Sequence, residues 1–229
     1  MQITLANLPS VFVFDIETTE NNKLDLMEVM QGFRDKRDKK KGLGGTLVDP
    51  IKIEEKVIED MGKLALDAFL NQIISFSYST FDVSPEGLIT QNTNVIFSTS
   101  EEELIQKAYT VMEDFYLKNG QIIFAGFGIS YFDIPQMRTK ILKYKPIKKL
   151  GTPAFLPSRK YDMYDMSEIL GEGKLDKWLS FFGLQGKYQG IDGSEVPKLF
   201  KAGDYETIKK YSLMDARIEG NLLLEMIKY

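Results

Sequence analysis

The 229-residue chain contains neither cysteine nor histidine. Without cysteine there is no disulfide, no thiolate metal site and no cysteine nucleophile, which fits a reducing compartment. Without histidine there is no imidazole ligand, no Ser-His triad and no histidine general base. Any hydrolytic chemistry must therefore rest on carboxylates, tyrosine, lysine or a metal-activated water. Long apolar runs are missing too. The start, MQITLANLPS, lacks the basic leader and apolar core of a signal peptide, and no stretch approaches the length of a membrane span. The expectation is a soluble, cytoplasmic protein with no membrane partner.

What is present can fill a core. A hydrophobic fraction of 43% suits one generous domain, so residues 1–229 read as a single domain. The net charge of -4 and pI near 5.2 argue against coating nucleic acid through the overall field, which leaves local patches to consider. One such patch lies in the polar stretch at about 20–50, where the charged run Arg34 to Lys41 precedes Gly42, Gly44 and Gly45. That stretch reads as a charged, mobile insertion.

The most informative run is Val11 to Thr19, VFVFDIETT. Its β-branched and aromatic residues predict a strand buried on both faces, and it ends abruptly in Asp15 and Glu17. Side chains two apart on a strand share a face, roughly 7 Å apart, so the two carboxylates converge. Like charges so placed repel unless a cation lies between them. Alone, the pair would be equally consistent with a solvated turn.

Further along, Lys52 to Leu70 has partly helical spacing. Ile73 to Thr80 and Thr93 to Phe97 predict an antiparallel hairpin beside the first strand. Ser98 or Ser100 ahead of Glu101, Glu102 and Glu103 predicts a helix start, with a stop at Asn119 and Gly120. Gln121 to Phe127 predicts a second core strand. After it Asp133 precedes Pro135, the position of an N-cap, at the sheet end where sites of α/β folds lie.

The helix after Asp133 carries Arg138, Lys140, Lys143, Lys145, Lys148 and Lys149 with no acid among them. It is the candidate track for a phosphate backbone, with Tyr144 placed to stack on a base. Arg159 to Met166 predicts a short strand delivering Asp162 and Asp165. Lys174 to Leu184 predicts a helix whose Leu175, Trp178, Leu179 and Phe182 join the core. A glycine-rich loop, Gly186 to Val196, leads to a last helix from about Asp204. There Tyr211 and Asp215, four apart, share a face.

Taken together, FDIETT (Asp15, Glu17), YFDIP (Asp133) and YSLMD (Tyr211, Asp215) resemble the three motifs of the DEDD superfamily of 3'-5' exonucleases, in its tyrosine subclass. The likeness is nearest to the exonuclease domain of family B DNA polymerases and its stand-alone relatives. KYQGIDGSEVPKLFKAGD also resembles those relatives, so the likeness runs from about residue 10 onward. One departure is Gly128, which stands where the second motif usually has Asn; the missing amide bears on how a substrate strand is held.

The resemblance implies an α/β, ribonuclease H-like mixed sheet flanked by helices. It implies two divalent cations, Mg²⁺ or Mn²⁺, on Asp15, Glu17, Asp133 and Asp215, with Tyr211 orienting the attacking water. The activity implied is exonucleolytic release of nucleoside 5'-monophosphates from 3' ends, with single-stranded DNA as the expected partner and a separate polymerase or repair protein as a further one. Asp162 is the weaker, structural candidate. A structure-selective endonuclease, an RNA exonuclease and a non-catalytic nucleic-acid or polymerase-associated module remain as alternatives.

Overall fold

The computed structural model describes residues 2–21, 70–147, 163–186 and 191–228. The chain divides into two compact units, Met1–Glu17 with Ile73–Tyr229, and Thr18–Gln72. Of the second, the described residues are 18–21 and 70–72, where the Asn21 N–H donates to the Leu70 carbonyl at 3.2 Å. The expected insertion beyond Asn21 and the helical spacing of 52–69 lie outside the described residues. Among the described residues no helix is long and apolar enough to cross a membrane.

The fold is α/β. A five-stranded mixed sheet has the order β3-β2-β1-β4-β5, with β1 at Val11–Glu20, β2 at Asn71–Val83, β3 at Ile89–Phe97, β4 at Ile123–Gly126 and β5 at Tyr164–Asp165. The hairpin expected from the alternating residues is present, with β2 and β3 antiparallel from Ser75↔Phe97 to Val83↔Ile89. Strand β4 runs parallel to β1, with Val11 opposite Ile123, and β5 runs parallel to β4. The carboxyl ends of β1, β4 and β5 thus point the same way, the arrangement that makes one sheet end a binding edge.

Six α-helices accompany the sheet among the described residues: α1 Glu101–Asn119, α2 Asp133–Tyr144, α3 Met166–Leu170, α4 Leu175–Phe181, α5 Val196–Ala202 and α6 Tyr205–Met226. The ends of α1 follow from its sequence. The Ser100 hydroxyl accepts from the Glu103 N–H, acids fill the first turn, and Gly120 closes the helix at φ 71°, a left-handed conformation that glycine adopts without a Cβ penalty. Similarly, Asp204 caps α6 through the Thr207 N–H at 3.2 Å.

Alternation along β1 sorts the core into two layers. Phe12, Phe14 and Ile16 pack with Phe76, Leu104, Ile105, Ala108, Met112 and Met137, the layer of α1 and α2. Val11 and Val13 pack with Leu175, Leu179, Ile218, Leu222 and Leu223, the layer of α4 and α6. Each such fully buried side chain stabilises the fold by about 1.5–3 kcal/mol. Asp15 and Glu17 continue the odd-numbered row of Val11 and Val13, so the sheet presents them to the α6 side.

Helix α6 lies over small residues of β2. The Ser75 hydroxyl donates to that of Ser212 at 2.8 Å, and the Ser79 hydroxyl donates to the Ala216 carbonyl at 2.9 Å. Gly220 allows the close approach, since a Cβ there would stand 2.2 Å from Gln91 Nε2. That amide is not free to move, because it donates to Ser79 Oγ and to the Arg217 carbonyl, each at 2.9 Å. Gly220→Ala is therefore expected to destabilise by roughly 1–3 kcal/mol, the cost of stranded polar groups. Denaturant melts should show most of that loss absent when the substitution is made in a Gln91→Ala background.

Candidate metal centre

Four acids expected to act together come from three elements. One carboxylate oxygen each from Asp15 and Glu17 on β1 and from Asp215 on α6 lie within 4.8 Å of one another. Asp133 joins them by a route different from its expected cap role. The N-cap of α2 is Phe132, with no side-chain cap bond, and Asp133 is the first helical residue. Its Oδ1 accepts the Ile16 N–H at 3.1 Å, the amide lying between the two acids of β1. The carboxylate thus reaches across the sheet edge instead of closing its own helix.

The electrostatics fit a cation. Asp15 Oδ2 is buried with no hydrogen-bond partner. Burial first, then the charges of Glu17, Asp133, Glu219 and Asp215, push the Asp15 carboxyl well above the usual carboxylate range. Asp133 is pushed up to about 7 by burial, against the two backbone N–H groups that favour its ionised form. Carboxylates held at each other's expense are poor company unless a positive charge is added. The donors are all hard oxygens, the chemistry of Mg²⁺ and Mn²⁺.

Tyr211 is buried in the same place, 2% exposed. Burial, then Glu17, Asp215 and Asp15, raise its phenol further above its ordinary value, and its hydroxyl is hydrogen-bonded to Asp215. It stays a protonated donor. Gly193, in a 3-10 turn at Gly193–Glu195, leaves room in front of it: a Cβ there would lie 3.8 Å from the Tyr211 hydroxyl and 4.0 Å from Glu17 Oε2.

No protein-family model matches the chain, and no curated protein matches its sequence. The chain is similar in fold to a family B DNA polymerase. That enzyme, from the hyperthermophilic archaeon Pyrobaculum calidifontis, superposes with a TM-score of 0.53 at 16% identity, over 95% of this chain and 24% of the polymerase. At that identity the likeness concerns the fold, and the chain answers to about a quarter of the polymerase's length.

The basic helix is less uniform than its sequence implies. Lys140 is a correction: its side chain is 1% exposed and sits 2.9 Å from Glu101 Oε1, so its ammonium is spent on an internal ion pair. Tyr144 donates to Glu101 Oε2 at 2.6 Å, and Lys143, about half exposed, stands 3.3 Å from the same oxygen and over the Tyr144 ring. Burial disfavours ionised Glu101, but the bonds from Tyr144, Lys140 and the Ile73 N–H outweigh it and hold its pKa below the ordinary value. Lys145 is exposed at the end of α2, in the left-handed region at φ 47°. Lys148, Lys149 and Asp162 lie outside the described residues.

Two buried acids near the centre carry roles that the motifs did not assign. Asp165, at the end of β5, accepts the N–H groups of Gly128 and Ser130 at 3.0 Å and the Ser130 hydroxyl at 2.6 Å. It shapes the loop where Gly128, at φ 82°, replaces the expected Asn. Glu219 accepts the Phe127 N–H at 3.1 Å. The helical spacing 211, 215, 219 is a signal that would have found it.

The raised carboxylates set the sign of a pH dependence. In metal-free protein the fold holds protons on Asp15 and Asp133 more tightly than the unfolded chain does. That stabilising share is complete below the ordinary value of 3.8 and is lost as pH rises through about 7 for Asp133. Melting scans should show the metal-free Tm falling between about pH 4 and about pH 7, with Mg²⁺ or Mn²⁺ raising it most at the higher pH. Asp15→Asn should raise the metal-free Tm at the higher pH and remove the metal's effect.

Proposed function

We propose that the chain is a metal-dependent 3'-5' exonuclease of the tyrosine DEDD type, acting on the 3' end of a nucleic-acid strand, with single-stranded DNA as substrate. The observation that carries the proposal is the meeting of Asp15, Glu17 and Asp215 within 4.8 Å, with Asp133 bonded between the first two and Tyr211 on the last. These are the residues of the three exonuclease-like motifs. The fold likeness to a family B polymerase is consistent with the resemblance of the three motifs to the exonuclease domain of such polymerases, the domain to which residues 1–229 would correspond on this reading.

Asp15, Glu17, Asp133 and Asp215 would hold divalent cations. When bound, these supply Lewis-acid activation of water and stabilise the charge on the phosphate and the leaving 3' oxygen. The chain's residues do the rest. Strand β1 fixes Asp15 and Glu17, and the Ile16 N–H holds Asp133 beside them. Tyr211, a phenol at working pH, orients the attacking water by hydrogen bond and takes no proton from it. Gly193 packs beside Tyr211 and Glu17, where even a Cβ would stand 3.8 Å from the Tyr211 hydroxyl and 4.0 Å from Glu17 Oε2.

Digestion of 3'-labelled and 5'-labelled DNA and RNA oligomers with Mg²⁺, Mn²⁺ or chelator tests the proposal. Stepwise shortening from the 3' end of DNA, abolished by chelator and by Asp15→Ala, is expected. Tyr211→Phe should slow it by roughly 10–100-fold, the usual cost of losing a group that orients a metal-centre reaction. Cleavage of a circular strand would assign an endonuclease, and preference for RNA an RNA exonuclease. Metal binding without cleavage would assign a non-catalytic module.

Phosphate contact is proposed for Lys143, Lys145, Lys148 and Lys149. Neutralising them together should weaken strand binding and reduce the salt slope by about one per lost phosphate contact. Affinity measured across a salt series checks it, and an unchanged slope returns these lysines to an ordinary solvated face.

A further inference from the structure

Glu219 belongs to none of the three motifs, yet it is 5% exposed on the face of α6 that carries Tyr211 and Asp215, one turn past the latter. An acid so buried is costly unless it has work to do. Two kinds of work are open to it. Its charge could act on the centre, since it is among the charges that raise the Asp15 carboxyl. Its oxygen could act as an anchor, since Oε2 accepts the Phe127 N–H at 3.1 Å.

Geometry favours the anchor. The oxygens grouped within 4.8 Å of one another come from Asp15, Glu17 and Asp215, without Glu219. Phe127 follows directly on β4, which ends at Gly126, and the chain from there leads to Asp133 at the start of α2. The next part of that loop is already gripped by Asp165 through the Gly128 and Ser130 N–H groups, so Glu219 holds its near end. Helix α6 itself meets the sheet where its Ser212 and Ala216 accept from Ser75 and Ser79 of β2. On the β4 side of β1, where Ile218 and Leu222 pack with Ile123 and Ala125, the bond to Phe127 adds a directional polar attachment.

We propose that Glu219 is a positioning residue of the metal centre: by accepting the Phe127 N–H it fixes α6, and with it Tyr211 and Asp215, against the strand end from which the chain runs to Asp133. The proposal rests on reading the acids as a metal centre. It makes reach, not charge, the property that matters at this position.

Two conservative variants separate those properties without emptying the site. Glu219→Gln keeps the length and a carbonyl oxygen for the Phe127 N–H but has no charge; Glu219→Asp keeps the charge but is one methylene short. Mn²⁺ affinity by calorimetry and the cleavage rate at saturating Mn²⁺ are the readouts, with Tm recorded for each protein. Glu219→Gln should stay within about threefold of wild type in both, and Glu219→Asp should lose about 10–100-fold, the usual cost of disturbing an outer support of a metal site. The reverse order makes charge the determinant and overturns the proposal, as do two variants that match wild type or fail equally. Wild-type protein that binds no Mn²⁺ overturns the metal-centre reading and this role with it.

Discussion

Like charge brought together where the apolar run of β1 gives way to acids is the constraint on which the rest of this structure depends. Taking an ionised carboxylate out of water costs several kcal/mol, and several are drawn here to one sheet end. The fold can do so because Val11 to Phe14 are fully buried and each returns about 1.5–3 kcal/mol. The strand acts as a rod whose apolar first half secures the position of the acids that follow it. The remaining elements bring further acids to that pair: α6 brings Asp215, and the parallel strand β4 leads to Asp133.

The two flanking layers divide the labour. The α1 and α2 side of β1 is a dense aromatic packing, with Phe12 stacked on Tyr78 at 5.0 Å and Phe14 on Phe76 at 5.3 Å. The α6 side is where polarity is admitted, first as the serines of β2 beneath the helix, then as the acids of β1. A cation would convert the mutual repulsion of those acids into attraction, and would thereby couple stability to metal. The buried Glu101–Lys140 pair belongs to the other side, joining α1 to α2 away from the acids, which explains why a helix so basic in sequence offers fewer free cations than expected.

Much of this was legible in the residues. The apolar run of β1 with its terminal acids, the alternating hairpin, the Ser100 and Gly120 ends of α1 and the shared face of Tyr211 and Asp215 all follow local periodicities, and local periodicity survives folding. What escaped was set by tertiary contact. Asp133 has the sequence of an N-cap, but the Ile16 amide, distant in sequence, claims its carboxylate. Lys140 reads as surface until Glu101 is placed opposite it. Helix α5, only seven residues long, was hidden between the glycine-rich loop and the last helix, and Glu219 in an amphipathic helix where one more acid looks like solvent-facing charge.

The account stands on the carboxylates forming a cation centre, and the most direct measurement is anomalous scattering from crystals soaked in Mn²⁺. It predicts anomalous density bonded to oxygens of Asp15, Glu17 and Asp215, lost in Asp15→Asn protein. Crystals saturated with Mn²⁺ that show no peak among these residues, or a peak only elsewhere, would contradict it.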